Sequence, residues 1–358
     1  MSCNDFADAF FLFCLNLVIT GQLVHILFYK NETEGTDVGK NKDKEEFMKI
    51  FSINLRKVFQ SANFDFNSLQ EIRLRAEAPM IFRFPDGRRY LSKDNRLCSS
   101  EKDAVMIPIN EIRETMEYIS NYSMYAYEEE MKRGYLTIAG GHRIGIAGKM
   151  LCENGDVRGV KQISCLCIRL AHEVIGCSDR MVGLLLSGDE FQDTLILSPP
   201  GFGKTTLLRD LIRNLSDGGC RKAGGYQIGV VDERSEIAAC YLGIPQNDIG
   251  KNTDIYDSCP KETGIQYLLR SMSPQIIAVD EIAGDSDLKA VEQAFGCGCR
   301  ILATTHAGSM EELMQKPHWK KVFSLNIFKR FIVIEKHGNN PQYRVLDQEG
   351  REVSGGKK

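Results

Sequence analysis

The sequence predicts an α/β protein in which a mostly parallel sheet, covered by helices, follows a smaller α+β domain. In residues 191–346, short apolar strands alternate with amphipathic helices, which is the pattern of a parallel sheet with helices on its faces. Residues 48–190 instead contain short β-rich runs and two helical patterns, separated by glycines. Residues 1–47 fit neither pattern, and residues 347–358 form a polar tail that we expect to be flexible.

The composition narrows the classes of protein that this chain can belong to. It has 358 residues, of which 26% are charged, and a formal net charge of −3. This near-neutral balance gives no support for a field that attracts nucleic acid, so no nucleic-acid partner is expected. None of the 12 cysteines belongs to a CxxC pair, so the sequence predicts no zinc site. A disulfide framework is not expected either, because the nucleotide site described below implies the reducing cytosol.

Residues 1–47 leave two interpretations open. The run Ala9–Tyr29 is mostly apolar, has about the length of a membrane-spanning helix, and is followed by Lys30. If it spans a membrane, the positive-inside rule places the rest of the chain in the cytoplasm, at the cytosolic face. The polar stretch Asn31–Glu46 is then a linker. In the alternative interpretation Met48 is the true start, and the upstream residues are not part of the protein.

Local patterns predict the elements of the first domain. Alternating polar and apolar residues, ended by the turn Pro85-Asp86-Gly87, predict a β-hairpin. Apolar residues at helical spacing predict two helices, the second ending before Gly134. The predicted elements are strands Glu71–Arg75 and Met80–Phe84, helices Asn110–Tyr118 and Tyr122–Lys132, and strands Tyr135–Ala139, Ile144–Ala147 and Ile163–Leu170.

The second domain alternates strands and helices and closes with a hairpin. Its strands are almost continuously apolar, which indicates burial on both faces. The predicted order is strand Thr194–Leu197, helix Thr205–Leu215, strand Tyr226–Val231, helix Ile265–Ser271, strand Gln275–Val279, helix Asp287–Phe295, strand Arg300–Thr304, and a hairpin of Phe328–Ile334 with Gln342–Leu346.

A glycine-rich loop lies between the first strand and first helix of this domain, which is the setting of a phosphate-binding P-loop. Glycines let backbone N–H groups turn toward a phosphate, and the helix N-terminus favours its negative charge. Lys204 would contact the β- and γ-phosphates of ATP, and Thr205 would bind Mg²⁺. The loop departs from GxxxxGK[ST] at its first position, where a serine is tolerated if φ stays negative. The predicted nucleotide-binding residues are Ser198, Pro199, Pro200, Gly201, Phe202, Gly203, Lys204, Thr205 and Thr206.

An acidic pair follows the strand Gln275–Val279. The strand delivers Asp280 and Glu281 to its carboxyl end, where ligands bind in open parallel sheets. We predict that Asp280 holds Mg²⁺ and that Glu281 orients and polarises an attacking water. An apolar run ending in Asp-Glu is a weak signal alone, but it is a strong one after a phosphate loop. Together the two motifs predict a P-loop NTPase core of the RecA/AAA type.

Two further strand ends carry polar groups whose role the residues alone leave open. The run Val230–Ile237 is an apolar strand that ends in acidic residues, and it fits either part of the site at the strand ends or a solvated acidic loop. The run Ile301–Gly308 fits either a sensor of the γ-phosphate or a structural cap. The polar residues in question are Asp232, Glu233 and Glu236 in the first run, and Thr304, Thr305 and His306 in the second.

The four motifs occur in the order seen in the type II and type IV secretion ATPases, which the sequence therefore resembles. In that family they are the Walker A, Asp box, Walker B and His box. Three runs look, more narrowly, like the stage III sporulation protein AA family, which is linked to the channel complex between mother cell and forespore. They are EIRLRAEAP from Glu71, Ser123–Lys149 with its GGHRIGIAG run, and Ile163–Ala171. The resemblance covers about Met48–Leu346, and it departs at the apolar N-terminal run and at Ser198.

The resemblance implies a function and a set of roles. It implies ATP hydrolysis with Mg²⁺ by a homo-oligomeric ring, a hexamer in that family, which drives assembly or transport through a membrane channel. It implies that the Asp232–Glu236 acids lie near the metal, that His306 couples nucleotide state to movement, and that arginines reach the γ-phosphate. The implied catalytic residues are Glu281, Lys204, His306, Glu236, Arg143 and Arg169, with Arg234 as a further candidate. Each arginine also fits a surface ion pair.

Two other functions stay open at this point. One is a ring ATPase associated with nucleic acid, which ATPase stimulation by single-stranded nucleic acid would favour. The other is a nucleotide-gated scaffold without turnover, against which the Asp280–Glu281 pair argues.

Overall fold

The computed structural model describes residues 44–62, 64–123, 127–132, 134–153, 156–219, 224–337 and 340–353, which form one compact unit. The run Ala9–Tyr29, most of the predicted linker and the last five residues of the tail lie outside these ranges. No helix of the described residues has the length and apolar character that a bilayer crossing requires. Within the stretch predicted as linker, residues 44–46 are helical, and Phe47 beside them is buried.

An antiparallel sheet of seven strands occupies the first part of the chain, in the order β5-β4-β3-β1-β9-β8-β7. Ile72 and Leu74 of the central strand β1 are fully buried and share one apolar core with Phe59 and Ile112 of the helices α1 and α2. The elements are α1 (Ile53–Ser61), β1 (Glu71–Arg75), β2 (Ala78–Pro79), β3 (Ile81–Phe84), β4 (Gly87–Leu91), β5 (Leu97–Cys98), β6 (Met106–Ile107), α2 (Ile109–Ile119), α3 (Glu128–Lys132), β7 (Tyr135–Thr137), β8 (Arg143–Glu153) and β9 (Asp156–Arg169). The pair β2–β6 forms a separate two-stranded sheet.

The structure corrects two of the predicted elements in this part. The second helix was predicted over Tyr122–Lys132, but α3 begins only at Glu128, and Asn121 and Tyr122 have φ of 47° and 60°, which a helix does not allow. The strands β8 and β9 are far longer than predicted, because they continue as a hairpin beyond the buried region. Ladder hydrogen bonds rather than burial sustain that extension, so no apolar pattern marks it in the sequence.

A second sheet, also of seven strands, occupies the rest of the chain in the order β14-β13-β15-β16-β12-β17-β18. All its neighbours are parallel except the closing hairpin β17–β18. The elements are β10 (Leu186–Ser187), β11 (Glu190–Phe191), β12 (Thr194–Leu197), α4 (Lys204–Asp217), β13 (Ile228–Asp232), β14 (Thr253–Asp257), α5 (Lys261–Ser271), β15 (Ile276–Val279), α6 (Asp285–Gly296), β16 (Arg300–Thr305), α7 (Met310–Gln315), α8 (Trp319–Ser324), β17 (Arg330–His337) and β18 (Asn340–Leu346).

Helices cover both faces of this sheet. Ile196 of β12 points to the face packed by Leu207 and Leu211 of α4, whereas Leu195 points to the face packed by Leu268 of α5 and Val291 of α6. Because β12, β13, β15 and β16 run parallel, their carboxyl ends meet at one edge. The predicted alternation of strands and helices is thus observed. The edge strand β14 (TDIYD) was not predicted, because it is polar and all of its residues are only half-buried.

The small hairpin β10–β11 spans the predicted domain boundary at residues 190 and 191. The two large sheets fall within the predicted ranges 48–190 and 191–346, and where one folding domain ends and the next begins stays a prediction.

A buried carboxylate ties the segment between the sheets to helix α4. Asp210 is 2% exposed and accepts hydrogen bonds from the backbone N–H of Gly176 at 3.0 Å and of Ser178 at 2.7 Å. The hydroxyl of Ser178 and the guanidinium of Arg213 also donate to it, at 2.7 and 2.8 Å. Burial alone would raise the pKa of Asp210, but these donors outweigh it and lower the pKa to about 2.

We expect Asp210→Asn to lower the free energy of unfolding by an amount that depends on pH. Because folding lowers the pKa of Asp210, its ionised form stabilises the protein by about 2 kcal/mol above pH 4, and this contribution disappears as the pH falls through about 2. Urea unfolding between pH 7 and pH 2.5 measures the difference from wild type. Asp94→Asn, at an exposed position, is the control. A difference that stays constant over this range would contradict the assignment.

Candidate functional site

The glycine-rich loop joins β12 to α4 at the carboxyl edge of the parallel sheet. Gly201 and Gly203 have φ of 75° and 89°, a region that favours glycine. A Cβ at either position would meet no atom within 4 Å, so the loop borders open space rather than packed protein. Gly203 caps α4 without a side-chain hydrogen bond, which leaves the start of the helix accessible to an anion.

Ser198, which replaces the usual first glycine, fits its position. It is fully buried and is not among the residues with positive φ, which is the condition under which a serine is tolerated there. Its hydroxyl donates to the Pro199 carbonyl at 2.9 Å. The departure from the usual pattern therefore leaves the loop shape unstrained at this residue.

Lys204 is the buried cation of the site, with 7% of its surface exposed. Its Nζ donates to the carbonyl oxygens of Ser198 and Pro199 at 3.2 and 3.3 Å, and to Nδ1 of His306 at 2.8 Å. Burial lowers the pKa of Lys204, and the nearby Asp280 and Glu281 carboxylates oppose that shift. The loop thus holds an ammonium group in place beside the space that a phosphate would enter.

Asp280 follows β15 and lies between two hydroxyl groups. Thr205, the second residue of α4, donates to Asp280 Oδ2 at 2.6 Å, and Thr304 of β16 donates to Asp280 Oδ1. Thr304 is fully buried. The two hydrogen bonds fix the carboxylate between the phosphate-loop helix and the neighbouring strand.

Glu281 is held in a conformation that its residue type disfavours. Its φ is 50°, and its backbone N–H donates to the Thr304 hydroxyl at 2.8 Å. Its two carboxylate oxygens lie 2.8 Å from Arg234 Nη1 and 3.2 Å from His306 Nε2. The Thr304 hydroxyl therefore orients both members of the acidic pair.

His306 connects the phosphate-loop lysine to the acidic pair. Because the Lys204 ammonium can only donate, Nδ1 of His306 accepts, and a neutral ring then carries its proton on Nε2. That N–H faces Glu281. Lys204, His306 and Glu281 thus form one row of polar contacts across the ends of three structural elements, with a hydrogen bond at 2.8 Å and an ion-pair contact at 3.2 Å.

The acidic loop after β13 lies beside this group, and most of its acids have other partners. Asp232 is 1% exposed and accepts hydrogen bonds from the backbone N–H groups of Glu236, Ile237 and Ala238, at 2.8 to 2.9 Å. Burial, together with neighbouring Asp257, raises the pKa of Asp232 to about 6 despite these donors. Its described contacts thus shape the loop, and the position near the metal that the family resemblance implied stays a prediction.

The other two acids of this loop form ion pairs. Glu233 pairs with Lys261, the first residue of α5, and Glu236 pairs with Arg143 of β8 at 2.6 Å. Arg209 of α4, which the sequence did not single out, donates to the Glu236 carbonyl at 2.6 Å and to that of Ile237. Its signal would have been a second basic residue on the phosphate-loop helix, five residues after Lys204.

The candidate arginines are placed differently from one another. Arg234 reaches Glu281, whereas Arg143 pairs with Glu236 and lies over the Tyr135 ring at 4.2 Å. Arg169 is exposed and pairs with Glu71 at 3.5 Å. Within this chain the described contacts of Arg143 and Arg169 are therefore with these acids and not with the phosphate loop. Their predicted catalytic roles stay predictions.

The residues present fit a nucleotide with Mg²⁺. The open space at Gly201 and Gly203, the buried Lys204 ammonium and the start of α4 are the features that bind phosphates. The Thr205 hydroxyl and the Asp280 carboxylate supply adjacent oxygen atoms, and Mg²⁺ prefers a few such ligands with phosphate oxygens and water.

Sequence comparison places this arrangement among known proteins. The family model described as "Sporulation stage III, protein AA" matches residues 41–353. Stage III sporulation protein AA of Bacillus subtilis (strain 168) is 37% identical over 287 residues, which cover 80% of this chain and 89% of that protein.

Two solved structures have a similar fold. The ATPase DotB of Legionella pneumophila matches with a TM-score of 0.53 and 12% identity, covering 89% of this chain and 83% of that chain. The pilus retraction motor PilT, solved with bound ADP, matches with a TM-score of 0.52 and 14% identity, covering 82% of this chain and 80% of that chain. The mostly parallel sheet and these matches confirm the predicted α/β fold.

We expect Thr304→Val to lower the free energy of unfolding by about 1–3 kcal/mol, because valine leaves the Glu281 N–H and one Asp280 oxygen without their partner. Thr304→Ser keeps the hydroxyl and should lose clearly less. Urea unfolding followed by circular dichroism measures both variants. Equal stability of the valine variant and wild type would show that the hydroxyl does not hold the acidic pair.

Proposed function

The chain belongs to the sporulation stage III protein AA family, and on that basis we propose that it is a Mg²⁺-dependent ATPase. We propose further that it acts as a ring-forming motor in the cytoplasm, at the cytosolic face of a membrane. There it would drive assembly or transport through a sporulation channel, together with the proteins of that channel.

One observation carries the proposed activity, namely the convergence of the phosphate-loop lysine, the acidic pair and the histidine. Lys204 would bind the β- and γ-phosphates of ATP, and Thr205 and Asp280 would hold Mg²⁺, which neutralises phosphate charge when bound. Glu281 would orient a water molecule and accept its proton. His306 would link that carboxylate to the cation at the phosphates, because it contacts both Lys204 and Glu281.

The structure also suggests what precedes turnover. Both oxygens of Glu281 are engaged, one by Arg234 and one by His306, so a water molecule would have to share these oxygens with the two groups or replace one of them. The Arg234 side chain is 64% exposed and is therefore the partner that can leave with the smaller loss of packing. Arg234, once released, would be available to the γ-phosphate.

In the proposed ring, the remaining arginines could supply positive charge to the γ-phosphate. Phosphoryl transfer requires positive charge at the γ-phosphate as the transition state develops, and a neighbouring subunit can supply it. Arg169 is exposed, at 67%, and Arg143 lies beside it in register across β8 and β9. We propose that this pair serves the site of its own or an adjacent subunit.

We expect Glu281→Gln to retain ATP binding within a few-fold and to lower turnover by about 100-fold or more, because glutamine keeps the shape but cannot accept the proton. Lys204→Ala should instead lose ATP binding, since the ammonium group is absent. Phosphate release and equilibrium binding of a fluorescent ATP analogue separate the two effects. The exposed Glu262→Gln is the matched control. Wild-type turnover in Glu281→Gln would rule out this role for Glu281.

The proposed ring predicts that the particle mass rises when nucleotide is bound. With ATP and Mg²⁺, we expect Glu281→Gln to form particles of several times the 40.3 kDa chain mass, because bound nucleotide persists and holds subunits together. Light scattering after size exclusion measures the mass with and without nucleotide. A protein that stays monomeric under every condition would contradict a ring-forming motor.

A further inference from the structure

A second polar cavity lies away from the phosphate loop, with a volume of about 140 Å³. One side is formed by the α3–β7 region of the antiparallel sheet, and the other by the loop after β13 and the end of β14. Its lining includes the polar side chains of Tyr127, Glu130, Tyr135, Ser235, Tyr241 and Asp257. The cavity has room for about four water molecules or for one small organic group.

Two polar atoms in its wall have no partner among the described residues. Ser235 is 4% exposed, and within the described part of the chain neither its Oγ nor the buried Oδ1 of Asp257 has a hydrogen-bond partner. The other oxygen of Asp257 accepts a hydrogen bond from Ser258 at 3.3 Å. A buried carboxylate oxygen without a donor costs free energy, so the cavity is completed by something that donates hydrogen bonds.

The charge of the lining identifies the kind of donor. Asp257 and Glu130 are carboxylates, and no lysine, arginine or histidine is among the described lining residues. Three tyrosines add aromatic rings and hydroxyl oxygens, and the hydroxyl oxygens of Tyr127 and Tyr241 are 3.4 Å apart. Burial and the neighbouring Tyr241 raise the pKa of Tyr127, so it stays neutral at pH 7. Carboxylates beside aromatic rings are the groups that bind ammonium and guanidinium ions.

We propose that this cavity binds a small organic cation, an alkylammonium or guanidinium group, with Asp257 as its charged acceptor and Ser235 as a second hydrogen-bonding group. Two sources share this chemistry: a free amine, and the side chain of a lysine or arginine from a second copy of this chain. The proposal concerns a site separate from the phosphate loop and does not depend on ATP hydrolysis.

Ser235 connects this cavity to the carboxyl edge of the parallel sheet, where Glu281 lies. Its chain neighbours are Arg234, which pairs with Glu281, and Glu236, which pairs with Arg143. Tyr135, in the opposite wall, donates from its hydroxyl to the Arg234 carbonyl at 3.3 Å. An occupant would therefore fix the loop that holds Arg234 against Glu281.

Titration of the full-length protein with n-butylammonium chloride, without nucleotide, tests the proposal by isothermal calorimetry and thermal shift. Sodium chloride at equal ionic strength is the reference. We expect saturable binding in the millimolar range or tighter for wild type, at least ten-fold weaker binding for Asp257→Asn, and weaker binding for Glu130→Gln. Asp254→Asn, which lies on the same strand outside the cavity, should bind as wild type does.

The particle mass in the presence of n-butylammonium distinguishes a free amine from a side chain of a second copy. If added n-butylammonium lowers the particle mass, a side chain of a second copy is the occupant, and if the mass is unchanged a free cation is. If wild type shows no saturable binding of n-butylammonium, water alone fills the cavity. The same conclusion holds if the folded variants Asp257→Asn and Glu130→Gln bind n-butylammonium as tightly as wild type does. Because no step uses ATP, an inactive but amine-binding protein would count against the proposed ATPase and not against this site.

Discussion

The burial of the Lys204 ammonium is the constraint on which the rest of the site depends. A buried charge is costly unless hydrogen bonds and opposite charges compensate it. Two carbonyls of the phosphate loop and the His306 ring supply the hydrogen bonds, and Asp280 and Glu281 supply the charge. These groups come from the ends of different strands, so only a parallel sheet with its carboxyl ends aligned can deliver them together.

The loop after β13 contacts residues of both large sheets. Asp232 uses its carboxylate to hold the loop backbone in one shape, and the loop then presents side chains in two directions. Arg234 points to Glu281 at the parallel sheet, and Glu236 points to Arg143 on the antiparallel sheet. A change at either sheet can thus reach the other through a few residues, without passing through the apolar cores.

The parts of the structure that follow from burial could be predicted from the sequence. The strands ending at Leu197 and Val279 are fully buried and almost continuously apolar, and the motifs after them lie where parallel-sheet geometry requires. The half-buried β14 and the solvent-exposed part of the β8–β9 hairpin have no such pattern, because pairing alone maintains them. The partners of Asp232 could not be inferred either, since backbone donors leave no signature in residue types.

The left-handed backbone at Glu281 has a consequence for how this protein can change. Glycine would adopt φ of 50° without the cost of about 1 kcal/mol that a side chain with a Cβ incurs there. The chain instead keeps a carboxylate at this position. Replacing Glu281 by glycine would relieve the backbone strain, but it would also remove the carboxylate. With the catalytic role proposed for Glu281, selection for thermostability and selection for turnover would act in opposite directions on one residue, and a heat-adapted relative would have to gain its stability elsewhere.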